Sequence, residues 1–377
     1  MQPGSTLIIR TGVYNEKLTN VIQSGTASGY TVIKGETGAI IDGAGITGSS
    51  SNSGGWNAIL SMINRSYIRI ENLEFRNSSS GSENAGIYVE ATGSNSSVGI
   101  QLVNNKVYYI NRTESNENIG NTKGGHGIAA YGFGTTTNGA IRDLLIDGNE
   151  VFNCKLGQSE SVVINGNVAG WELINNYIHD NDNIGIDAIG GEKTCKTVAL
   201  DRARDGLISG NVVVNCTDLN NATYKKNDKG GCDGIYVDGG KDIEIENNYV
   251  AACDYGIEIG TENESNFKPS NIVIFNNVAA NCGQACLLLG GTNGAGDMIH
   301  VENNTLYKSS GAVENPGKYP LINNITNTSS TVGAPSGDTR ANTSGNRWWF
   351  IQKAGITAGA DPAVFFTYKW LISWWGN

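Results

Sequence analysis

The chain of 377 residues contains 51 Gly and 47 Asn but only 6 Pro and 3 Met, and Gly and Asn at such levels weaken helices and exclude a helical bundle. With 16% charged and 39% hydrophobic residues it is too apolar for disorder and too sparsely charged for a coiled coil, and no apolar run reaches the roughly 18 residues of a membrane span. The formal net charge of −10 excludes the basic footprint of a nucleic-acid binder and sets an acidic surface against acidic ligands unless a metal or a basic loop intervenes.

From residue 67 onward a short β-branched strand recurs, followed by Asn-Asn or Gly-Asn and a second strand. The copies read YIRIENLE at 67–74, IQLVNNKV at 100–107, LLIDGNEV at 144–151, WELINNYI at 171–178, GLISGNVV at 206–213, IEIENNYV at 243–250, IVIFNNVA at 272–279 and IHVENNTL at 299–306. Their sixth positions align Asn72, Asn105, Asn149, Asn176, Asn211, Asn248, Asn277 and Asn304. Between them lie strands of the form Gly-Ile-x-Val-x-Gly: GIYVEA at 86–91, GIAAYG at 127–132, SVVING at 161–166, GIDAIG at 185–190, GIYVDG at 234–239, GIEIGT at 256–261 and CLLLGG at 286–291. Alternation puts branched residues on one face and variable residues on the other. Repeats of this kind bury their apolar face only by stacking, which predicts an all-β, right-handed parallel β-helix over residues 1–346. Amides stacked at about 4.8 Å can donate to one neighbour and accept from the other, and Asn tolerates the left-handed backbone that tight turns need.

Cys154, Asn181, Cys216, Cys253, Cys282 and Ser309 share a second column, which predicts an internal stack of thiols; Cys195 and Cys232, in inserted loops, could pair. Residues 347–377 hold Trp348, Trp349, Trp370, Trp374 and Trp375 and are expected to cap the open end of the solenoid.

Chemistry concentrates on the Gly-Ile strands. Their third residues are Tyr88, Ala129, Val163, Asp187, Tyr236, Glu258 and Leu288, and their fifth are Glu90, Tyr131, Asn165, Ile189, Asp238, Gly260 and Gly290. His126, Glu160, Asp233 and Tyr255 stand just before these strands. On the expected stacking, Asp187 and Asp238, and Asp238 and Glu258, lie roughly 8 Å apart between Cα atoms, solvent-facing. Carboxylates so close either raise a pKa or recruit a hard cation, and both suit cleavage of a glycan. Loops 191–205 and 217–232 border this sheet and carry Glu192, Lys193, Arg202, Arg204, Lys225, Lys226 and Lys229, which could supply a missing cation.

The stacked Asn turns, the GIYVDGG and GIEIGT strands and the opening STLIIRTGVYNEKL together resemble the pectate-lyase-like right-handed parallel β-helix superfamily. That resemblance implies a carbohydrate-active enzyme, secreted or cell-surface, although the opening Met-Gln-Pro-Gly-Ser holds no apolar signal segment. Of the polygalacturonase-like motifs only Gly125-His126-Gly127 is matched, and it precedes the acids. The leading expectation is a monomeric lyase acting by β-elimination on an acidic, uronate-containing polysaccharide. In it, Ca²⁺ is held by Asp187, Asp238 and Glu258, and the base is Lys193, Arg202, Arg204 or Tyr236. His126 is a further catalytic candidate, and Glu160, Asn165, Asp233, Arg204 and Tyr131 are expected to bind substrate. The alternatives are an inverting hydrolase using the same carboxyls and a non-catalytic glycan-binding protein.

Overall fold

The computed structural model describes residues 3–46, 53–79, 83–111, 124–224, 229–263, 265–308, 311–322 and 324–326. The Trp-rich segment expected as a cap, together with Lys225, Lys226 and Ser309, lies outside the described residues. The chain winds as a right-handed parallel β-helix whose three faces are parallel sheets of 12, 11 and 10 strands. The first sheet runs from Thr6–Ile9 to Leu321–Ile322, the second from Gly12–Tyr14 to Ile325–Thr326, and the third from Leu18–Thr19 to Val313–Glu314. Among the described residues no helix is long and apolar enough to cross a membrane.

The ladder that holds the coils in register begins at Asn105. Its amide Nδ2 donates to Asn149 Oδ1 at 3.0 Å, and the pattern repeats through Asn176, Asn211, Asn248, Asn277 and Asn304 to Asn324. Each Oδ1 also accepts a backbone N–H of the coil before, as from Asn176 N to Asn211 Oδ1 at 2.9 Å. Each Nδ2 also donates to a backbone carbonyl, as from Asn211 to Leu173 O at 2.8 Å. These side chains are buried with their polar groups satisfied.

Asn72 does not belong to this ladder. Ile68 pairs with Ile100, so Asn72 aligns with Asn104, and Leu73 takes the ladder position, its N–H donating to Asn105 Oδ1. Asn72 instead has φ +57°, shared down the column by Asn104, Gly148, Asn175, Gly210, Asn247, Asn276 and Asn303. The sequence thus carries two adjacent Asn columns with different jobs: one supplies left-handed backbone, the next stacks its amides.

The third sheet owes its leading glycines to the core. A Cβ on Gly86, Gly127, Gly185 or Gly234 would lie 2.3–2.5 Å from Cγ1 of Val107, Val151, Val213 or Val250 respectively. Beyond the glycine, Ile235 and Val237 join the main core with their equivalents in other coils, while Tyr88, Ala129, Val163 and Ile189 form a separate cluster on the outer side. The cysteine column is interior as read, with Cys154, Cys216, Cys253 and Cys282 all in the core. All seven cysteines are free thiols, so Cys195 and Cys232 are unpaired with each other.

Replacing Asn211 by Ala removes two bonds accepted from Asn176 and two donated by its own amide. It should cost at least about 3 kcal/mol in denaturant unfolding, because buried partners are left unsatisfied. Asn72→Gly keeps the left-handed backbone and should cost under about 1 kcal/mol. Equal losses at the two positions would contradict the division between the columns.

Candidate functional site

The outer face of the third sheet gathers the carboxyls. Strand Ile186–Ile189 pairs with Asp233–Asp238 so that Asp187 faces Tyr236, and that strand pairs with Tyr255–Gly260 so that Tyr236 faces Glu258. The column Tyr88, Ala129, Val163, Asp187, Tyr236, Glu258, Leu288 is therefore continuous in space. Asn165 follows Tyr131 in the neighbouring column, and Ile189 follows Asn165.

These side chains are not solvent-facing. Asp187 and Asp233 are 2% exposed, Asp238 6%, Glu258 7% and Glu160 8%. Loops fold over the sheet and cover them. Glu192 accepts from Asn165 Nδ2 at 2.6 Å, Glu262 N donates to Asp238 Oδ1 at 3.0 Å, and Asn263 Nδ2 donates to Asp238 Oδ2 at 3.1 Å. Loop 191–205 is itself built on Asp201, which accepts the backbone N–H groups of Lys193 and Cys195 at 2.7 and 2.8 Å.

Burial and mutual repulsion set the protonation of the cluster. Burial, then the Asp238 charge, push the Asp187 carboxyl well above the usual range, and its Oδ1 has no hydrogen-bond partner. Burial raises Asp238 to about 7 against the N–H donors that favour its ionised form. The Asp233 and Glu258 carboxyls are hydrogen-bonded to each other; burial lifts Glu258 to about 7 and holds Asp233 well above its ordinary value. Glu160 is raised by burial and then by Glu192. Burial, then the Asp238 charge, also raise the Tyr236 phenol, favouring its protonated form.

Toward the N-terminal coils the same face turns aromatic. Trp56 lies over His126 with ring centroids 4.1 Å apart, and Tyr131 stacks on Tyr88 at 5.8 Å and on Phe133 at 5.9 Å. His126 Nε2 sits 3.1 Å from the Tyr131 hydroxyl and Nδ1 3.4 Å from Glu160 Oε2. Burial brings the imidazole down to about 3, so it is neutral.

The two expected arginines have partners of their own. Arg204 donates to Asn167 Oδ1 at 2.8 Å and to the carbonyl of Arg202 at 3.1 Å, a structural role. Arg202 donates to Asn266 O at 3.1 Å and lies over the Phe267 ring. Lys193 is exposed at a left-handed turn with φ +65°. The expected calcium set does not converge either: among the described residues no three His, Cys, Asp or Glu side chains group as ligands to one ion. Asp238 accepts from Glu262 N and Asn263 Nδ2, and Glu258 interacts with Asp233.

Residues not singled out by sequence complete the site. Glu262 and Asn263 orient Asp238, and Trp56 covers His126. Gly291 leaves room for Glu258, since a Cβ there would lie 2.0 Å from its Oε1. The Gly290-Gly291 pair closing its strand is the one sequence signal among these.

No family model matches the chain. The uncharacterised protein YwoF of Bacillus subtilis (strain 168) is 33% identical over 269 residues, 70% of this chain and 52% of that protein. The chain thus spans about half the length of that relative. Among solved structures, the GH136 lacto-N-biosidase of Eubacterium ramulus gives a TM-score of 0.64 at 13% identity, covering 91% of this chain and 61% of that one. The mannuronan C-5 epimerase AlgE4 A-module of Azotobacter vinelandii gives 0.53 at 13% identity, covering 90% and 91%. Pectate lyase Pel9A gives 0.51 at 15%, covering 91% and 74%. The fold shared with these solved structures is the right-handed parallel β-helix.

The Asp187 proton has a consequence for stability. An unfolded Asp releases its proton near pH 4, whereas the folded one retains it higher. The folded state therefore loses stability as pH rises from about 4 through the folded value, by about 1.4 kcal/mol per unit of displacement. Asp187→Asn should raise the melting temperature at pH 8, with the gain vanishing by pH 4. A variant destabilised at both pH values would refute the assignment.

Proposed function

We propose that the chain is a carbohydrate-active enzyme that hydrolyses a glycosidic bond with Asp187 as general acid and Asp238 as the ionised base or nucleophile. The observation that carries this reading is the asymmetry of two neighbouring carboxyls. Asp187 has an unpartnered oxygen and a strongly raised pKa, while Asp238 receives two N–H donors that hold it closer to ionisation. Pairs whose environments separate their pKa values divide acid and base roles in this way. The proton on Asp187 passes to the leaving oxygen as the glycosidic bond breaks, and Asp238 takes up the charge developing opposite, either by activating water or by bonding to the anomeric carbon. Asp233 and Glu258, both with raised pKa values, flank the pair and can offer donor and acceptor to sugar hydroxyls.

Similarity of fold to a lacto-N-biosidase, an epimerase and a pectate lyase supports carbohydrate chemistry but does not choose between hydrolysis and elimination. Hydrolysis is favoured because the arginines expected as elimination bases donate to Asn266 O and Asn167 Oδ1.

Against a polysaccharide panel the wild type should release reducing ends without a product absorbing in the ultraviolet. Asp187→Asn and Asp238→Asn should each lower kcat by about 10²–10⁴-fold, and the acid limb of the kcat/KM profile should fall near pH 7, where Asp238 protonates. An ultraviolet-absorbing product would mark β-elimination and overturn the hydrolytic assignment. Gly291→Ala, which crowds Glu258 Oε1, should reduce turnover while leaving the β-sheet circular dichroism unchanged.

A further inference from the structure

We infer that the glycan taken by this face is uncharged, and that Tyr131 and Phe133 bind it beside the carboxyls. The inference rests on the glycan-site reading above and departs from the acidic substrate expected from sequence. The charged groups acting most strongly on Glu160, Asp187, Asp238 and Glu258 are other carboxylates; Asp233 feels Glu258, the Cys253 thiol and Glu262. His126 stays neutral at the aromatic end, so it lends the face no positive charge. A uronate entering here would bring one further negative charge per unit into a low-dielectric, already acidic region, where like charges repel strongly. Hydroxyl groups meet no such penalty. The protonated carboxyls can donate to them, the ionised one can accept, and the unpartnered Oδ1 atoms of Asp187 and Asp233 await a polar partner.

The aromatic end supplies the complementary contact. Tyr131 and Phe133 lie two residues apart on one strand, half-buried and stacked with an interplanar angle of 21°. They are backed by Tyr88 and by Trp56, whose ring centroid is 6.1 Å from that of Tyr131. The column from Tyr131 through Asn165 and Ile189 leads to the coil of Asp238, a distance of about 14 Å at the usual spacing between coils. An oligosaccharide of a few units spans that distance, with apolar C–H faces against the rings at one end and the scissile bond among the carboxyls at the other.

The test is calorimetric binding to the 377-residue chain carrying Asp187→Asn, which holds substrate without turning it over. Probes are cello-, xylo-, manno- and N-acetylchito-oligosaccharides on one side, and oligogalacturonate and oligoalginate on the other. At least one neutral series should bind, the uronates should not at any ionic strength, and Tyr131→Ala or Phe133→Ala in the same background should weaken binding by about 10-fold. Uronate binding, failure of every neutral series, or neutral binding indifferent to both aromatic substitutions would each overturn the inference. Neutral binding without release of reducing ends by the wild type would instead sink the hydrolytic assignment alone. Cleavage of a uronate polymer by the wild type would sink this inference and leave an enzyme in place.

Discussion

The hydrogen bond from one stacked amide to the next governs more of this molecule than any other contact. A β-strand alternates its side chains between faces, so a slip of one residue in a single coil would exchange its core residues for its outer ones. Asn105 to Asn324 forbid that slip, because each amide bonds both a partner amide and backbone groups of adjoining coils, and all are buried. The same register that sends Ile235 and Val237 inward sends Tyr236 and Asp238 outward. Core and site are thus two consequences of one ladder.

That ladder stabilises a face which by itself works against folding. Five carboxyls on neighbouring coils, each at most 8% exposed, lose hydration and repel one another. Protonation relieves part of the repulsion, since burial raises the pKa of each of these groups. The remaining cost is carried by the amide ladder, since the strand pairing itself shortens at the site to Ile186 with Ile235 and Asp187 with Tyr236. Sites of this sort combine raised pKa values with strained electrostatics. Here the strain sits on side chains of a rigid sheet, so the carboxyls keep their positions whatever their charge.

Much of this was legible in the sequence. The third-position column matches the observed pairing residue for residue, because Gly-Ile-x-Val-x-Gly fixes both period and phase: the glycine must sit where a Cβ would strike Val107 or Val250. The Asn column was legible with one error. Asn72 and Asn105 fall at the same position of similar octapeptides, yet only pairing distinguishes a left-handed Asn from a ladder Asn when the two stand side by side. Burial of the acids was not legible, since it comes from loops whose contacts reach across long stretches of chain, such as Glu262 and Asn263 on Asp238. Nor were the fates of Arg202 and Arg204, whose partners Asn266 and Asn167 lie 64 and 37 residues away.

The distinction between sheet and loop explains why a fold so regular can host unrelated reactions. The outer face of a parallel β-helix is a ruled surface, able to set side chains at fixed intervals but not to remove water from them. Glu262 and Asn263 close over Asp238 here, and burial stands first among the causes raising Asp187, Asp238 and Glu258. Had the loops brought a guanidinium over the acids, the same columns would have formed a site for an anionic sugar. They bring Glu192 and Glu262 instead, and turn Arg202 toward Phe267. The sheet thereby specifies where the carboxyls stand, and the residues that close over them shape which protonation states those positions tolerate.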